Sequence, residues 1–172
     1  MSKAPPSTFA ASLCAQIDGR AAALERLDGA LAAARTNAAA GAWSPREIIL
    51  HLVGGLSDLP DHVADALGQD NPYVEYGQPG GEYIDDPSIE TAQGAAVVLR
   101  QNLDVISAAV RDLDDAALQR TVTMAAGDGQ ASATLPIGLL VRYSLTTHFD
   151  EHLDQLREVL GAADSTDTEE QR

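Results

Sequence analysis

Positive charge is scarce in this chain. Among 172 residues, 26 Asp and Glu face 11 Lys and Arg, which gives a formal net charge of −15, and Lys3 is the only lysine. Nucleic-acid binding needs clustered cations that displace counterions from phosphate, and attraction to an anionic membrane surface has the same requirement. We therefore expect neither nucleic acid nor a membrane as a partner of this protein.

Cysteine and long hydrophobic runs are scarce as well. Cys14 is the only cysteine, which excludes an internal disulfide and any zinc site built from several cysteines. Residues 1–7 lack the apolar segment of a secretory signal, and no window approaches the roughly 20 consecutive apolar residues of a membrane-spanning helix. We therefore expect a protein of the reducing cytoplasm, in which Cys14 is a small core residue rather than a nucleophile.

Helix-forming residues and a helical spacing of apolar residues dominate the rest of the sequence. Hydrophobic residues make up 45% of the chain, enough for the core of one domain. We predict helices at residues 7–36, 45–67, 87–113 and 135–160, a brief helical turn at 114–119, and a small hairpin of strands 121–124 and 131–134. Four long amphipathic helices predict an all-α four-helix bundle. The domain is placed at residues 1–161, followed by an acidic tail at 162–172 that we expect to be disordered.

Proline and glycine mark the boundaries between these elements. Pro60 predicts a kink or an early break in the second helix, and Gly68 and Gly161 predict the ends of the second and last helices. Residues 69–86 contain several Pro and Gly and predict a long loop. This loop carries three of the four tyrosines, and long loops with aromatic residues often act as lids over a functional site.

The second helix has the clearest start signal in the chain. Ser44, Pro45 and Glu47 predict a capping box, in which the serine hydroxyl and the glutamate carboxylate each accept a backbone N–H that has no helical partner. Trp43 precedes the cap, and its spacing from Ile48 predicts a hydrophobic staple.

Three of the four histidines are predicted to point into the bundle. His148 and His152 are four residues apart and share the apolar face of the last helix, and His51 lies on the apolar stripe of the second helix. Buried imidazoles without partners would each leave a polar nitrogen unsatisfied, at a cost of about 1–3 kcal/mol. A divalent cation removes this cost by binding one nitrogen of each ring. Because three histidines leave coordination positions open, the pattern is typical of catalytic rather than structural metal sites.

Each histidine also has a plainer interpretation. A single histidine on an apolar face is more often a hydrogen-bonded core residue than a ligand, so the metal hypothesis depends on the three together. His62 lies near the end of the predicted second helix, and we expect it to face solvent. Gln155 and Asp58 are candidates to accept the second N–H of a ligating ring. For Asp58, a solvated surface carboxylate is slightly favoured.

Two segments carry a resemblance to a known family. They are residues 43–52, Trp-Ser-Pro-Arg-Glu-Ile-Ile-Leu-His-Leu, and residues 148–160, which begin His-Phe-Asp-Glu-His-Leu. In length and motif order nearly the whole chain resembles the DinB/YfiT-like metalloenzyme family. The resemblance implies an up-down-down-up four-helix bundle and a three-histidine site for zinc, nickel or a similar divalent ion. By position, His51 matches the ligand on the family's second helix, and His148 and His152 match its HxxxH ligands.

The resemblance also implies a class of reaction. Related proteins include thiol-dependent transferases and the mycothiol-dependent maleylpyruvate isomerase, and many family members are dimers. We therefore expect a homodimeric enzyme dependent on zinc, nickel or iron. It would act on a small molecule as a transferase, with bacillithiol, mycothiol or glutathione as the thiol. A hydrolase would use the same ligands with water as the nucleophile. The alternative is a non-catalytic bundle, either a metal-binding stress protein or an interaction module whose histidines are core residues.

Overall fold

The computed structural model describes residues 7–34, 42–75, 87–125 and 131–167. In chain order its elements are α1 (Thr8–Glu25), α2 (Asp28–Ala33), α3 (Pro45–Ser57), α4 (Leu59–Gly68), β1 (Tyr73–Glu75), α5 (Ala92–Val110), α6 (Asp115–Leu118), β2 (Thr121–Ala125), β3 (Ala131–Pro136), α7 (Ile137–Tyr143), a π-helical turn (Ser144–His148) and α8 (Phe149–Asp167). The last three form one continuous helix. The predicted helical bundle with a small hairpin before its last helix is confirmed.

Contacts at two points along α1 show its direction relative to α5. The N–H of Ser7, just before α1, donates to the carbonyl of Leu113, just after α5, at 2.9 Å. Further along α1, the Cys14 thiol lies 3.8 Å from the carbonyl oxygen of Ser107, which is further back along α5. The two helices are therefore antiparallel.

The second and third helices of the bundle run in the same direction. Near the start of both helices, Arg46 Nε donates to the carbonyl of Ile89. About two turns further along α3 and about three turns into α5, Asn102 Nδ2 donates to the carbonyl of Val53 at 3.5 Å. Because positions advance together along α3 and α5, these two helices are parallel.

The last helix runs parallel to α1. Near the start of both, the Phe9 ring lies against Gly138, where an added Cβ would come within 2.8 Å of its Cε1 atom. Further along both, Arg20 and Asp150 form an ion pair at 2.7 Å. Together with the antiparallel α1 and α5 and the parallel α3 and α5, this gives the up-down-down-up order that the family resemblance implies.

The four long helices enclose one aliphatic core. Each fully buried large aliphatic side chain contributes about 1.5–3 kcal/mol relative to exposure. Fully buried residues come from every bundle helix, including Leu13, Ile17, Leu52, Leu56, Leu99, Leu103, Phe149 and Leu156. Among the described residues, no helix combines the length and the apolar character needed to cross a lipid bilayer.

A three-stranded sheet lies beside the bundle. β2 and β3 form the predicted antiparallel hairpin, with Val122 opposite Leu135. β1 pairs with β2 in parallel, with Tyr73 opposite Thr123, so the prediction of an irregular loop is wrong for residues 73–75. A three-residue strand is too short to show an alternating pattern in the sequence. Residues 76–86 of the predicted loop, and residues 126–130 between the two strands of the hairpin, lie outside the described residues.

The prediction of one continuous helix over residues 7–36 is wrong, because the structure has two helices there. α1 ends at Glu25 and α2 begins at Asp28. Between them, the Leu27 N–H donates to the carbonyl of Leu24, three residues back rather than four, at 2.9 Å. This tightened turn ends α1 just before an Asp-Gly pair of low helix propensity. Residues 35 and 36 lie outside the described chain.

Two further helix boundaries differ from prediction. α5 starts at Ala92 rather than at 87, because the Thr91 hydroxyl accepts the Gly94 N–H at 3.0 Å and forms the N-cap. α8 continues to Asp167, so the predicted end at Gly161 is wrong. Gly161 does not adopt the left-handed backbone of a helix-ending glycine, and the following Ala-Ala pair favours helix. The domain boundary at 161 stays a prediction, and 168–172 lie outside the described chain.

Several start and stop signals are confirmed. Ser44 Oγ accepts the Glu47 N–H at 3.2 Å, and Glu47 Oε2 accepts the Ser44 N–H at 2.7 Å, which is the predicted capping box. The break predicted by Pro60 falls between α3 and α4. α4 runs through Gly68 and is capped by Gln69, so the helix end predicted at Gly68 is one residue too early. Asp114 caps the predicted short turn by accepting the Ala117 N–H at 2.8 Å.

The capping box predicts a stability difference that depends on pH. Hydrogen bonds from the Ser44 backbone and hydroxyl, and then the charge of Arg46, lower the pKa of Glu47 below 4.5. A lowered folded-state pKa stabilises the protein above the unfolded value and is lost as pH falls through the folded value. We expect Glu47→Ala to lower the free energy of unfolding by about 1 kcal/mol at neutral pH. This difference should shrink below pH 4.5.

Urea unfolding of the wild type and of Glu47→Ala, from neutral pH to below pH 4.5, measures the difference in their free energies of unfolding. Because the other titratable groups are the same in both proteins, their contributions cancel in this difference. Glu158→Ala is the control, since Glu158 lies exposed in the last helix. A Glu47→Ala difference that is unchanged in acid would contradict the assignment of the capping charge.

Candidate metal centre

The three predicted histidines lie together between two helices. His51 is in the middle of α3, His148 ends the π-helical turn, and His152 lies in the first turn of α8. Their ring centroids are 5.0, 4.6 and 4.7 Å apart, and one nitrogen from each lies within 4.8 Å of the others. Across the described residues, this is the only group of three or more His, Cys, Asp or Glu arranged closely enough to hold a metal ion.

The cluster extends from the core toward the surface. His51 is 7% exposed, whereas His148 and His152 are half-buried. The site therefore has a buried inner wall on α3 and an accessible outer side on the last helix. This is the arrangement expected where a small molecule must reach the three rings.

Burial lowers the pKa values of two rings in the cluster, those of His51 and His148. Burial first, and then the neighbouring His152 and His148, lower the pKa of His51 to about 4. The pKa of His148 is also lowered, by burial and then by His152, with a small opposing effect of the Glu151 carboxylate. Both rings are consequently neutral at neutral pH, and the neutral imidazole is the form that binds metals.

A π-helical turn, Ser144–His148, ends at the first histidine of the His148–His152 pair. In it, the Thr146 hydroxyl donates to the carbonyl of Arg142 at 2.8 Å. π-helical turns are rare and occur frequently at functional sites. The sequence predicts an ordinary α-helix at this position, without a π-helical turn. Ser144, Thr146 and the following threonine are weak helix formers whose hydroxyls compete for backbone bonds, but this signal alone does not distinguish a π turn from an ordinary helix.

Gln155 makes the predicted contact with His152. Its Oε1 lies 2.9 Å from His152 Nδ1, so the tautomer with a proton on Nδ1 donates to Gln155 and leaves the Nε2 lone pair available. Asp58 instead lies exposed at the junction of α3 and α4 and accepts from the Ser57 hydroxyl at 3.2 Å. The favoured interpretation of Asp58 as a surface carboxylate is therefore confirmed.

His62 differs from its prediction. It is half-buried rather than solvent-facing, and burial is the main cause of its lowered pKa, opposed by nearby carboxylates that include Asp58. A position near a predicted helix end does not indicate this burial. His62 is not part of the three-histidine cluster.

Trp43 is a site residue whose role the sequence analysis missed. Its indole centroid lies 4.8 Å from that of His51 and 5.9 Å from that of His152, nearly parallel to the latter at 23°. The indole is 37% exposed, whereas Ile48, its predicted staple partner, is fully buried. The staple contact stays a prediction. The signal for the site role is the adjacency of Trp43 to the cap of the helix that carries His51.

Comparisons with solved structures support this architecture. The chain superposes on YfiT from Bacillus subtilis, described as a probable metal-dependent hydrolase with an unusual four-helix bundle topology, with a TM-score of 0.62. The match covers 88% of this chain and 87% of YfiT at 18% sequence identity. The fold is that of YfiT.

A second solved structure has the same fold. The mycothiol-dependent maleylpyruvate isomerase matches with a TM-score of 0.61 and 16% identity over 87% of this chain. The matched region is 63% of the isomerase, so this chain spans less than two thirds of that enzyme's length. No protein-family model matches the sequence, and no curated protein matches it. The resemblance to the DinB/YfiT-like family is thus confirmed for the fold.

The donors of the cluster suit a divalent transition metal. Imidazole nitrogen is a common ligand of zinc, nickel, iron and copper. Zn–N bonds of about 2.0–2.1 Å in tetrahedral geometry place the nitrogens about 3.4 Å apart, and in the structure they lie within 4.8 Å of one another. An added Cβ at Gly55 would lie 3.4 Å from His148 Nε2, so the glycine leaves this side of the ring uncrowded. The residues therefore fit such an ion.

Proposed function

We propose that this protein is a divalent-metal-dependent enzyme whose ion is held by His51, His148 and His152. The proposal rests on the convergence of three buried or half-buried imidazoles from two helices. One nitrogen from each ring lies within 4.8 Å of the others. The YfiT fold supports it, since YfiT is described as metal-dependent. Zinc, nickel and iron are the candidate ions.

The residues around the site have distinct roles in this proposal. A bound divalent ion would supply Lewis acidity and lower the pKa of a thiol or water in its open positions. Gln155 keeps the proton of His152 on Nδ1, and Trp43 lies over His51 and His152 and shields them from bulk water. The half-buried side of the cluster admits the substrate.

We assign the reaction to transfer with a low-molecular-weight thiol as the nucleophile. The mycothiol-dependent isomerase has the same fold, which supports bacillithiol, mycothiol or glutathione as the co-substrate. Hydrolysis is the second candidate, because the match with YfiT covers both chains almost completely. A homodimer in the cytoplasm completes the proposal, and sedimentation of the purified protein tests its oligomeric state.

A thiol-consumption assay tests the reaction. Protein loaded with zinc or nickel is incubated with 1-chloro-2,4-dinitrobenzene and each of the three thiols, and with p-nitrophenyl acetate alone. We expect thiol-dependent product formation that His51→Ala abolishes. Ester hydrolysis without thiol would instead favour the hydrolase. Failure of both reactions in metal-loaded protein would favour a non-catalytic metal-binding protein.

Gln155 provides a second prediction. Replacing it with leucine removes the acceptor 2.9 Å from His152 Nδ1, and loss of such a partner typically lowers metal affinity by about 10–100-fold. Gln155→Glu keeps an acceptor and should retain most of the affinity. Competition with a chromophoric chelator measures both variants. Equal affinities for wild type and Gln155→Leu would show that the amide does not support a ligand.

A further inference from the structure

A cleft of about 510 Å³ adjoins the outer side of the histidine cluster. It is lined on one face of α8 by His152, Gln155 and Val159, and before α3 by Ala42 and Trp43. One ring of the proposed metal centre is therefore also a wall of a space large enough for a small molecule. A substrate part bound in this cleft would lie directly beside the reacting position.

No charged side chain of the described chain lines this cleft. The contrast with a second cleft on the opposite face of the same helix is informative. That cleft, about 450 Å³ in volume, is lined by Arg20, Asp150, Asp154 and Arg157 among others. A carboxylate or phosphate entering the cleft beside His152 would meet no cationic side chain among the described residues, and the net charge of −15 opposes it further. The divalent ion proposed at the three histidines is a cation within its reach, so the preference of the cleft itself is defined for metal-free protein.

Among the described residues, the Gln155 amide is one of the polar groups that line the cleft, beside the His152 ring and the Trp43 indole. Gln155 Oε1 is engaged with His152 Nδ1, and within the described residues the Gln155 Nε2 group has no other hydrogen bond, so it can donate to an incoming acceptor. The partly exposed indole of Trp43 offers a face for stacking, and Val159 adds an aliphatic surface. Together they suit an uncharged, planar or apolar group with a carbonyl oxygen.

We propose that the cleft formed by Trp43, Gln155 and Val159 binds the uncharged aromatic or apolar part of the substrate and accepts its carbonyl oxygen on the Gln155 amide. The assignment of this ligand as substrate rests on the proposed metal-dependent function. The binding preference itself is a property of the cleft. A preference for uncharged groups would distinguish this protein from enzymes that bind anionic substrates through cationic side chains.

A pair of probes of nearly the same shape, one neutral and one anionic, tests the preference. Phenylacetamide and phenylacetate are titrated into the full-length protein after chelation of metal, so that no ion can bind the carboxylate, and binding is followed by the fluorescence of Trp43, the only tryptophan. We expect phenylacetamide to bind about tenfold more tightly than phenylacetate, or better, because the carboxylate would be desolvated without a cation. Val159→Arg supplies that cation and should reverse the preference. Val105→Arg is the matched control, since Val105 is exposed on α5, and should leave it unchanged.

The outcomes separate this inference from the proposed function. Equal binding of both probes, binding of neither, or a preference that Val159→Arg does not change would each overturn the assignment of the cleft. The capacity to bind zinc or nickel is measured on the same protein preparation before chelation. A protein that binds no metal yet prefers phenylacetamide would retain the cleft and lose the metal-dependent function. A protein that binds metal without preferring phenylacetamide would retain the metal-dependent function and lose the assignment of the cleft.

Discussion

Alanine in place of His148 is expected to reduce the bound divalent metal from one ion per chain to background. His148 supplies one of three converging nitrogens, and the two rings that remain, His51 and His152, cannot complete a stable site. Loss of a direct ligand should exceed the roughly 10–100-fold effect of losing a supporting hydrogen bond. Elemental analysis of protein purified without a histidine tag and reconstituted with zinc or nickel measures the change.

The matched control for this experiment is His62→Ala. His62 is a half-buried histidine of α4 outside the cluster, so its removal controls for the loss of a partly buried imidazole. We expect His62→Ala to keep the full metal content. Equal metal content in wild type and His148→Ala would contradict the three-histidine site.

Removing the metal is expected to lower the thermal stability of the wild-type protein by about 5–10 °C, for an ion present at about 100 times its Kd before chelation. The reason is that the ion binds the folded chain, in which His51 and His152 are brought together, and not the unfolded chain. At that concentration the linkage contributes about 2.7 kcal/mol. Calorimetry with and without a chelator measures the shift.

The His148→Ala protein serves as the control for chelation. Its melting temperature should be the same with and without the chelator, because it holds no ion to lose. If complete removal of metal from the wild type, verified by elemental analysis, left its melting curve unchanged, the ion would have no part in stabilising the fold.

The features that the sequence predicted well are those coded by a few adjacent residues. The capping box at Ser44 and Glu47 and the cap at Asp114 were confirmed because side chains of the right type stand at fixed offsets from the helix start. The three histidines were brought together as predicted because apolar stripes determine which face of a helix is buried. Gln155 follows from the same helical spacing.

The features that were missed depend on contacts between distant segments. The strand β1 exists because it pairs with β2, about 50 residues later in the chain. Trp43 lies against His152 of the last helix, a contact that its own neighbours in sequence do not specify. The break after Glu25 and the π-helical turn before Phe149 are local changes in hydrogen bonding, and Ala-rich or Thr-containing sequence permits several alternatives at both positions.

The placement of the ligands has a consequence for biosynthesis. His51 is made about 100 residues before His148, so its partners on the last helix emerge from the ribosome long after α3. A growing chain that has completed α3 alone carries a single imidazole of the triad and cannot complete the proposed site. Loading of the proposed ion would therefore wait for translation of the last helix, and it would report that α3 and the last helix have come together.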